Sequence, residues 1–190
     1  MLSQNIDIDL AFHECLDEKL LKIIDSNTQK LLISPQPWIV YFTKWIKVFH
    51  HNKKLNCPSL FRQTTSFSIG LQFTDDSNIA LINKRWRDKD CSTDVLSFPA
   101  IDNDFSMQPD PALELGDIIV SAETAQRQSK DQNHNLDREL TWLVCHGFLH
   151  LLGWDHLDST SLKKMLDFQD KLLKVNTDFA INPLSCKDEL

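Results

Sequence analysis

The sequence lacks several features that define large classes of protein. No part of its 190 residues has the roughly 20 consecutive apolar residues that cross a bilayer. The first residues show neither a basic region nor an apolar core, so we expect no secretory signal. Internal repeats and low-complexity tracts are also absent. With 42% hydrophobic residues, residues 1–190 are expected to form one globular domain with a real core.

The cysteines offer no disulfide framework. They are five in number and widely spread, and no two of them form a Cys-x-x-Cys pair (Cys15, Cys57, Cys91, Cys145 and Cys186). This usage favours reduced thiols and a cytoplasmic protein. The last four residues match an endoplasmic-reticulum retrieval signal, which we attribute to chance because nothing would direct the chain to that route.

Positive charge is scarce overall but locally concentrated. The net charge of −7 argues against a general nucleic-acid binder. Residues 101–117 contain acidic but no basic residues, whereas basic residues gather at 84–89 and 44–54. Each basic run either forms a local basic groove or lies on a solvated helix face. For 44–54 we prefer the solvated helix face.

The apolar pattern predicts an α+β single domain with a small mixed β-sheet flanked by helices. Strands are predicted at 5–12, 67–73, 95–99 and 115–120. Helices are predicted within 16–32 and over 37–53, 76–87, 122–132, 137–152 and 158–175. Residues 100–113 are predicted to be a loop, and 176–190 a flexible tail.

The most informative segment runs from His146 to His156. His146 and His150 are four residues apart, so they lie on one side of a helix and can reach one ion at roughly 2.0–2.1 Å. Gly153 tolerates the left-handed backbone that ends a helix, so His156 can return as a third ligand. Three protein ligands leave a fourth position open, as in catalytic zinc sites. The spacing predicts a hydrolytic metal centre on a helix and the turn after it.

One residue of the long zinc-protease motif is missing. That motif has a glutamate directly after the first histidine as its general base, whereas this chain has Gly147. Asp155 is the nearest carboxylate in sequence, and it is either a base or a partner of a ligand imidazole. Glu139 lies on nearly the same helix face as His146, and we interpret it as such a partner or as a solvated side chain.

A second group of residues lies upstream of the histidines. Residues 83–90 are rich in lysine and arginine and lead into the short strand at 95–99. An arginine there could bind a phosphate through two hydrogen bonds and stabilise charge that develops on phosphorus. Basic residues near a helix C-terminus also simply complement the helix dipole.

Three motifs, in this order, resemble the YbeY family of bacterial zinc-dependent endoribonucleases. They are residues 90–99, 115–121 and 146–156, and the resemblance covers roughly residues 60–175. Residues 14–34 look like an insertion after the first strand. Members of that family act in maturation of the 16S rRNA 3′ end and in ribosome quality control.

The resemblance implies that His146, His150 and His156 hold one Zn²⁺ and that Arg87 is the functional arginine beside it. Asp155 is our additional candidate for a catalytic proton acceptor. The implied substrate is single-stranded or ribosomal RNA, and the implied partners are the small ribosomal subunit or assembly proteins. The acidic composition favours RNA binding on the ribosome or with a partner protein over binding by the protein alone.

Three alternatives remain open at this point. The 2′-hydroxyl of the RNA could replace water as the nucleophile. The shared histidine spacing also fits a metallopeptidase, which Gly147 disfavours. A ribosome-assembly factor without catalytic activity would use its zinc mainly for structure. Nickel, cobalt or iron could also occupy a three-histidine site.

Overall fold

The computed structural model describes residues 5–100 and 112–181, with side chains described as far as residue 175. Within these ranges one four-stranded sheet packs with seven α-helices. The strands are β1 (Asp7–Glu14), β2 (Ser66–Thr74), β3 (Val95–Pro99) and β4 (Leu113–Ser121). The helices are α1 (Glu18–Ile23), α2 (Ser26–Ile33), α3 (Gln36–His51), α4 (Asp76–Arg87), α5 (Ala122–Asp131), α6 (Leu136–Leu151) and α7 (Ser159–Ile181).

The sheet is mixed, as predicted. Its strand order is β1-β2-β4-β3, with β3 antiparallel to β4 and the other neighbours parallel. β3 is therefore an edge strand of the sheet. The predicted α+β class with a small mixed sheet is confirmed.

Helix α3 covers the inner face of the sheet with aromatic side chains. Trp38 packs against Phe73 of β2 with ring centroids 5.4 Å apart. One apolar stripe of α3 is fully buried (Trp38, Phe42, Trp45, Ile46 and Phe49). Because fully burying each of these side chains is worth roughly 1.5–3 kcal/mol, the helix is held by its packing rather than by intrinsic propensity.

Helix α6 lies unusually close to strands β3 and β4, and Gly147 is the reason. A Cβ atom at this position would lie 2.8 Å from Cγ2 of Ile118 and 3.0 Å from Oγ of Ser97. Only a residue without a side chain lets the two backbones approach so closely. The glycine therefore sets the histidine-bearing helix directly against the sheet.

Strand β4 contains an irregularity that the sequence pattern did not predict. Ser68 of β2 pairs with Glu114, but the next residue, Ile69, pairs with Gly116, so Leu115 is the extra residue of a β-bulge. Gly116 has a φ of 117°, and a Cβ there would lie 2.1 Å from the carbonyl oxygen of Phe98. The bulge allows Leu115 and Ile118 to face the same core although they are three residues apart.

Helix α4 lies on the outer face of the sheet and carries Arg87 to the edge strand. Asp75 caps its N-terminus by accepting a 2.7 Å hydrogen bond from the backbone N–H of Asn78. The helix ends at Arg87 because Asp88 adopts a left-handed conformation with a φ of 55°. The chain then turns into β3.

Most predicted element boundaries agree with the structure to within a few residues. Residues 16–32 form two helices rather than one, because Asp25 caps α2 with its side chain. Helix α6 begins at Leu136, and α7 continues to Ile181, beyond the predicted end at 175. Residues 101–111 of the predicted loop and 182–190 of the predicted tail lie outside the described residues. None of the described helices is both long and apolar enough to span a bilayer.

Candidate metal centre

Three imidazoles meet at the C-terminal end of α6 and in the turn after it. The Nε2 atoms of His146 and His150 are 3.1 Å apart. One ring nitrogen from each of these residues and one from His156 all lie within 4.8 Å of one another. Ligand atoms bound tetrahedrally at 2.0–2.1 Å stand about 3.4 Å apart, so the two helical imidazoles are already at a suitable separation. The structure brings the three predicted ligands together.

The turn after α6 has the hydrogen bonds of a Schellman motif. The N–H of Gly153 donates to the carbonyl of His150, and the N–H of Trp154 donates to the carbonyl of Leu149, each at 3.0 Å. Gly153 has a φ of 82°, as its predicted role in ending the helix requires. This reversal directs the chain back toward the helix and places His156 beside the other two imidazoles.

Three further contacts fix the turn. The ring of Trp154 stacks on Phe168 of α7 with centroids 5.0 Å apart, and its Nε1–H donates to the carbonyl of Asn56 at 2.8 Å. Asp155 accepts a 2.7 Å hydrogen bond from the backbone N–H of His156. The exposed third histidine is therefore attached to a turn that is anchored on both sides.

Gln169 of α7 fixes the tautomer of His146. Its Nε2 donates to the carbonyl of Trp142 at 2.9 Å, and its Oε1 lies 3.0 Å from Nδ1 of His146. A backbone carbonyl only accepts hydrogen bonds, so the amide NH₂ must face Trp142 and the amide oxygen must face the imidazole. Nδ1 of His146 then carries the proton, and its Nε2 presents a free lone pair to the centre.

The environment keeps the two helical imidazoles neutral. Burial lowers the pKa of His146, against the opposing effect of its hydrogen bond to Gln169. Burial, followed by the neighbouring imidazoles of His146 and His156, lowers the pKa of His150 to about 4. Neutral imidazole is the form that binds metals. At neutral pH protons therefore compete weakly for these nitrogens.

Arg87 reaches the histidine centre from the other side of the sheet edge. It lines an open cleft of about 520 Å³ that also contains two of the histidines. The other lining residues come from β3 and the turn (Ser97, Pro99, Gly153, Trp154 and Asp155). The predicted arginine, two of the histidines (His150 and His156) and Asp155 thus share one solvent-accessible cleft.

The remaining candidates differ in position. Asp155 lies in the cleft, where its carboxylate raises the pKa of His150 as a minor influence, so it remains a candidate proton acceptor. Glu139 is buried and hydrogen-bonded to the ring of His134 instead of a predicted ligand, which makes it a structural residue. Cys145 is fully buried, which is consistent with a packing role.

The donor set fits a divalent transition metal. It consists of nitrogen atoms only, all from imidazoles that one hydrogen bond and one anchored turn hold in place. Such sets suit zinc, copper, iron or nickel better than magnesium or calcium, which prefer oxygen ligands. With three protein ligands, two of which line an open cleft, the arrangement is typical of a catalytic rather than a closed structural site.

Sequence reasoning missed Gln169 and the Trp142 ring, which stacks on His146 with centroids 5.2 Å apart. A signal for Gln169 was present. Met165, Gln169 and Leu172 share one face of α7 and are all fully buried. A polar residue inside an apolar helical stripe needs a buried hydrogen-bond partner, and the imidazole supplies one.

Comparison with known proteins shows that the chain matches one family over most of its length. The family model described as Endoribonuclease YbeY matches residues 23–176. A protein of that name from Prochlorococcus marinus strain MIT 9313 is 48% identical over 172 residues, 90% of this chain and 92% of the relative. Its counterpart from strain MIT 9211 is 52% identical over 178 residues, 93% and 90% of the two chains.

The fold also matches a solved structure. The solution structure of a protein from Thermotoga maritima superposes with a TM-score of 0.52 at 20% identity, covering 96% of this chain and all of the other. This likeness supports the fold alone, whereas the family model and the Prochlorococcus relatives span most of the chain at high identity. The chain belongs to the Endoribonuclease YbeY family.

Proposed function

We propose that the protein is a metal-dependent endoribonuclease that cleaves phosphodiester bonds in single-stranded RNA. Its proposed role is maturation of the 16S rRNA 3′ end and ribosome quality control. The observation that supports this most strongly is a centre of three histidines, two of which line an open cleft together with an arginine. An arginine beside a nitrogen-ligand metal centre suits an anionic substrate such as a phosphodiester.

His146, His150 and His156 would hold one Zn²⁺. When bound, a zinc ion supplies Lewis acidity that polarises a phosphoryl oxygen and lowers the pKa of a water molecule. The residues of the chain hold and orient the ligand imidazoles. Gln169 holds the imidazole of His146 in the tautomer that leaves Nε2 free, and the anchored turn positions His156.

Arg87 would bind the scissile phosphate. Its guanidinium can donate two parallel hydrogen bonds to phosphate oxygens and stabilise the charge that develops on them. Asp155 would accept the proton of the nucleophile, because its carboxylate lies in the same cleft. The nucleophile is water in our proposal, and the alternative is the 2′-hydroxyl of the RNA.

The setting of this activity is proposed to be the cytoplasm, on the small ribosomal subunit or with an assembly protein. A chain with a net charge of −7 has little general attraction for RNA. Binding next to a partner that already holds the RNA would raise the effective concentration of substrate and remove the need for a large basic surface.

The two alternatives fit the structure less well. A peptidase of the long-motif type needs a glutamate at position 147, where even a Cβ atom would collide with Ile118. A purely structural metal site is normally closed by four protein ligands, whereas this centre has three histidines, two of which line an open cleft. A non-catalytic assembly factor also gives no reason for Arg87 to line that cleft.

Cleavage of an end-labelled single-stranded RNA by purified wild type, His150→Ala and Arg87→Ala tests the proposal. We expect wild type to cut, His150→Ala to lose both metal and activity, and Arg87→Ala to keep the metal but lose activity. Equal activity of all three would indicate a contaminating nuclease and contradict the proposal. Product ends separate the nucleophiles, since attack by the 2′-hydroxyl leaves a 2′,3′-cyclic phosphate whereas water can leave a 5′-phosphate.

A further inference from the structure

An exposed tryptophan directly precedes the phosphate-binding arginine in helix α4. Trp86 is 64% exposed, although tryptophan is on average a highly buried residue. It precedes Arg87 at the C-terminal end of α4, so the two Cα atoms are about 3.8 Å apart. Phosphate binding by Arg87 gives no role to this large aromatic surface.

Packing accounts for Trp86 only in part. On α4 it continues the stripe of Ile79 and Ile82, which covers a small apolar cluster on the outer face of the sheet. Ile79 is fully buried, whereas most of Trp86 remains in solvent. Its ring meets Phe98 of β3 at 5.8 Å in an edge-on contact. The contact fixes the ring against the edge strand while much of the indole stays accessible.

The surroundings of Trp86 are basic on an otherwise acidic protein. The guanidinium of Arg85 lies 5.6 Å from the centre of the indole ring. Residues 84–89 contain four basic side chains and one acidic side chain, against a net charge of −7 for the chain. Lys84 forms an ion pair with Asp90 at 2.6 Å, whereas Arg87 faces the cleft. Aromatic surface combined with positive charge is the usual composition of a single-strand binding site.

We propose that Trp86 is a stacking platform for an unpaired nucleobase next to the scissile phosphate. The inference rests on the proposed function, because it places Arg87 on that phosphate. Adjacent nucleotides of a single strand are close enough for one phosphate to contact Arg87 while a flanking base lies on Trp86. Because a base in a duplex is already stacked, this platform favours single-stranded RNA. Stacking is sequence-tolerant, since every base has an aromatic face.

A competition experiment on the metal-loaded protein tests this platform. Cleavage of a labelled single-stranded RNA is measured in the presence of unlabelled single-stranded DNA, either with normal bases or fully abasic. The two competitors have the same phosphates and differ only in their bases. For wild type we expect the base-bearing strand to inhibit on the order of tenfold more tightly than the abasic strand.

Three variants identify the residue responsible. Trp86→Leu, which keeps an apolar contact with Phe98 but has no aromatic face, should lose most of the difference between competitors. Trp86→Phe should retain most of it and also guards against a variant that fails to fold. Leu81→Ala is the matched control, since Leu81 is a 66% exposed apolar residue on the same helix. It should behave as wild type.

The possible failures are distinguishable. If wild type cuts the RNA but Trp86→Leu still prefers the base-bearing strand as wild type does, the platform is wrong and the proposed function stands. If the base-bearing and abasic strands inhibit wild type equally, stacking of bases does not contribute to binding, and the proposed role of Trp86 is again wrong. If wild type does not cut the RNA, the proposed function fails and the platform fails with it.

Discussion

At the scale of single residues, the centre depends on Gln169 as well as on its three histidines. We predict that Gln169→Met lowers metal affinity by about 10–100-fold, because His146 loses the hydrogen bond that fixes its tautomer. Gln169→Glu keeps an acceptor for Nδ1 and should bind metal more tightly than Gln169→Met. Competition with a chromogenic chelator measures these affinities.

The melting temperature of each metal-free variant serves as the control for Gln169. The buried carbonyl of Trp142 loses its donor in Gln169→Met, so some loss of stability is expected as well. The affinity comparison holds only at temperatures where both proteins are folded. A fully folded Gln169→Met protein with wild-type metal affinity would show that the imidazole needs no such partner.

Gly147 is the second decisive residue. An alanine in an open helix position usually stabilises by about 1 kcal/mol relative to glycine. Here its Cβ would lie 2.8 Å from Ile118, and overpacking of this kind costs about 1–3 kcal/mol. We therefore predict that Gly147→Ala lowers the free energy of unfolding by about 1 kcal/mol, as measured by urea denaturation. A stabilised variant would contradict the close approach of α6 to the sheet.

At the scale of elements, Asp76 joins the N-termini of α4 and α5. Its carboxylate accepts 2.6 Å hydrogen bonds from Ser121, Thr124 and Arg127. Burial alone would raise the pKa of Asp76, but the hydrogen bonds from Arg127, Ser121 and Thr124 together lower it. The carboxylate therefore binds protons less readily in the folded state than in the unfolded state.

The sign of the pH dependence follows from that lowered pKa. A depressed folded-state pKa stabilises the protein above the unfolded-state value, and the contribution disappears as the pH falls through the folded-state value. We predict that Asp76→Asn lowers the free energy of unfolding by about 1–2 kcal/mol at pH 7 and that the difference shrinks below about pH 4.

Urea denaturation at several pH values checks this prediction, with Asp90→Asn as the matched control. Asp90 also accepts a 2.6 Å contact from a basic side chain, but it is 75% exposed. Exposed pairs contribute only about 0–1 kcal/mol, so Asp90→Asn should change little at any pH. A difference for Asp76→Asn that does not vary with pH would contradict the role of its charge.

Local signals made many of the elements predictable. The apolar pattern predicted α3, and Gly153 predicted the end of α6. The bulge at Gly116 was not predictable, because it depends on how β4 pairs with β2. The division between α1 and α2 was missed for a different reason: the cap at Asp25 is local but was not recognised.

At the scale of the whole molecule, the histidine centre was predictable because its three residues lie within eleven positions of the sequence. Gln169 is 23 residues from His146, and only the packing of α7 on α6 brings them together. The same is true of Arg87, whose position in the cleft requires the sheet edge between α4 and α6. Resemblance to a family supplied that arginine, whereas spacing could not.

We predict that the fold as a whole does not depend on a metal ion. The core joins the inner face of the sheet to α3, α6 and α7, and the three histidines lie at its edge. Loss of the metal should therefore leave the secondary structure intact. It should lower the free energy of unfolding, and with it the melting temperature, only by the contribution of metal binding. This separates a catalytic centre from one that is needed for folding.

The most direct test is a titration of zinc into the metal-free protein, with RNA cleavage and far-UV circular dichroism recorded on the same samples. We expect cleavage to rise linearly and to stop rising at about one equivalent per chain, while the dichroism spectrum stays unchanged throughout. Cleavage that does not depend on added metal, or a metal-free protein that is unfolded, would contradict it.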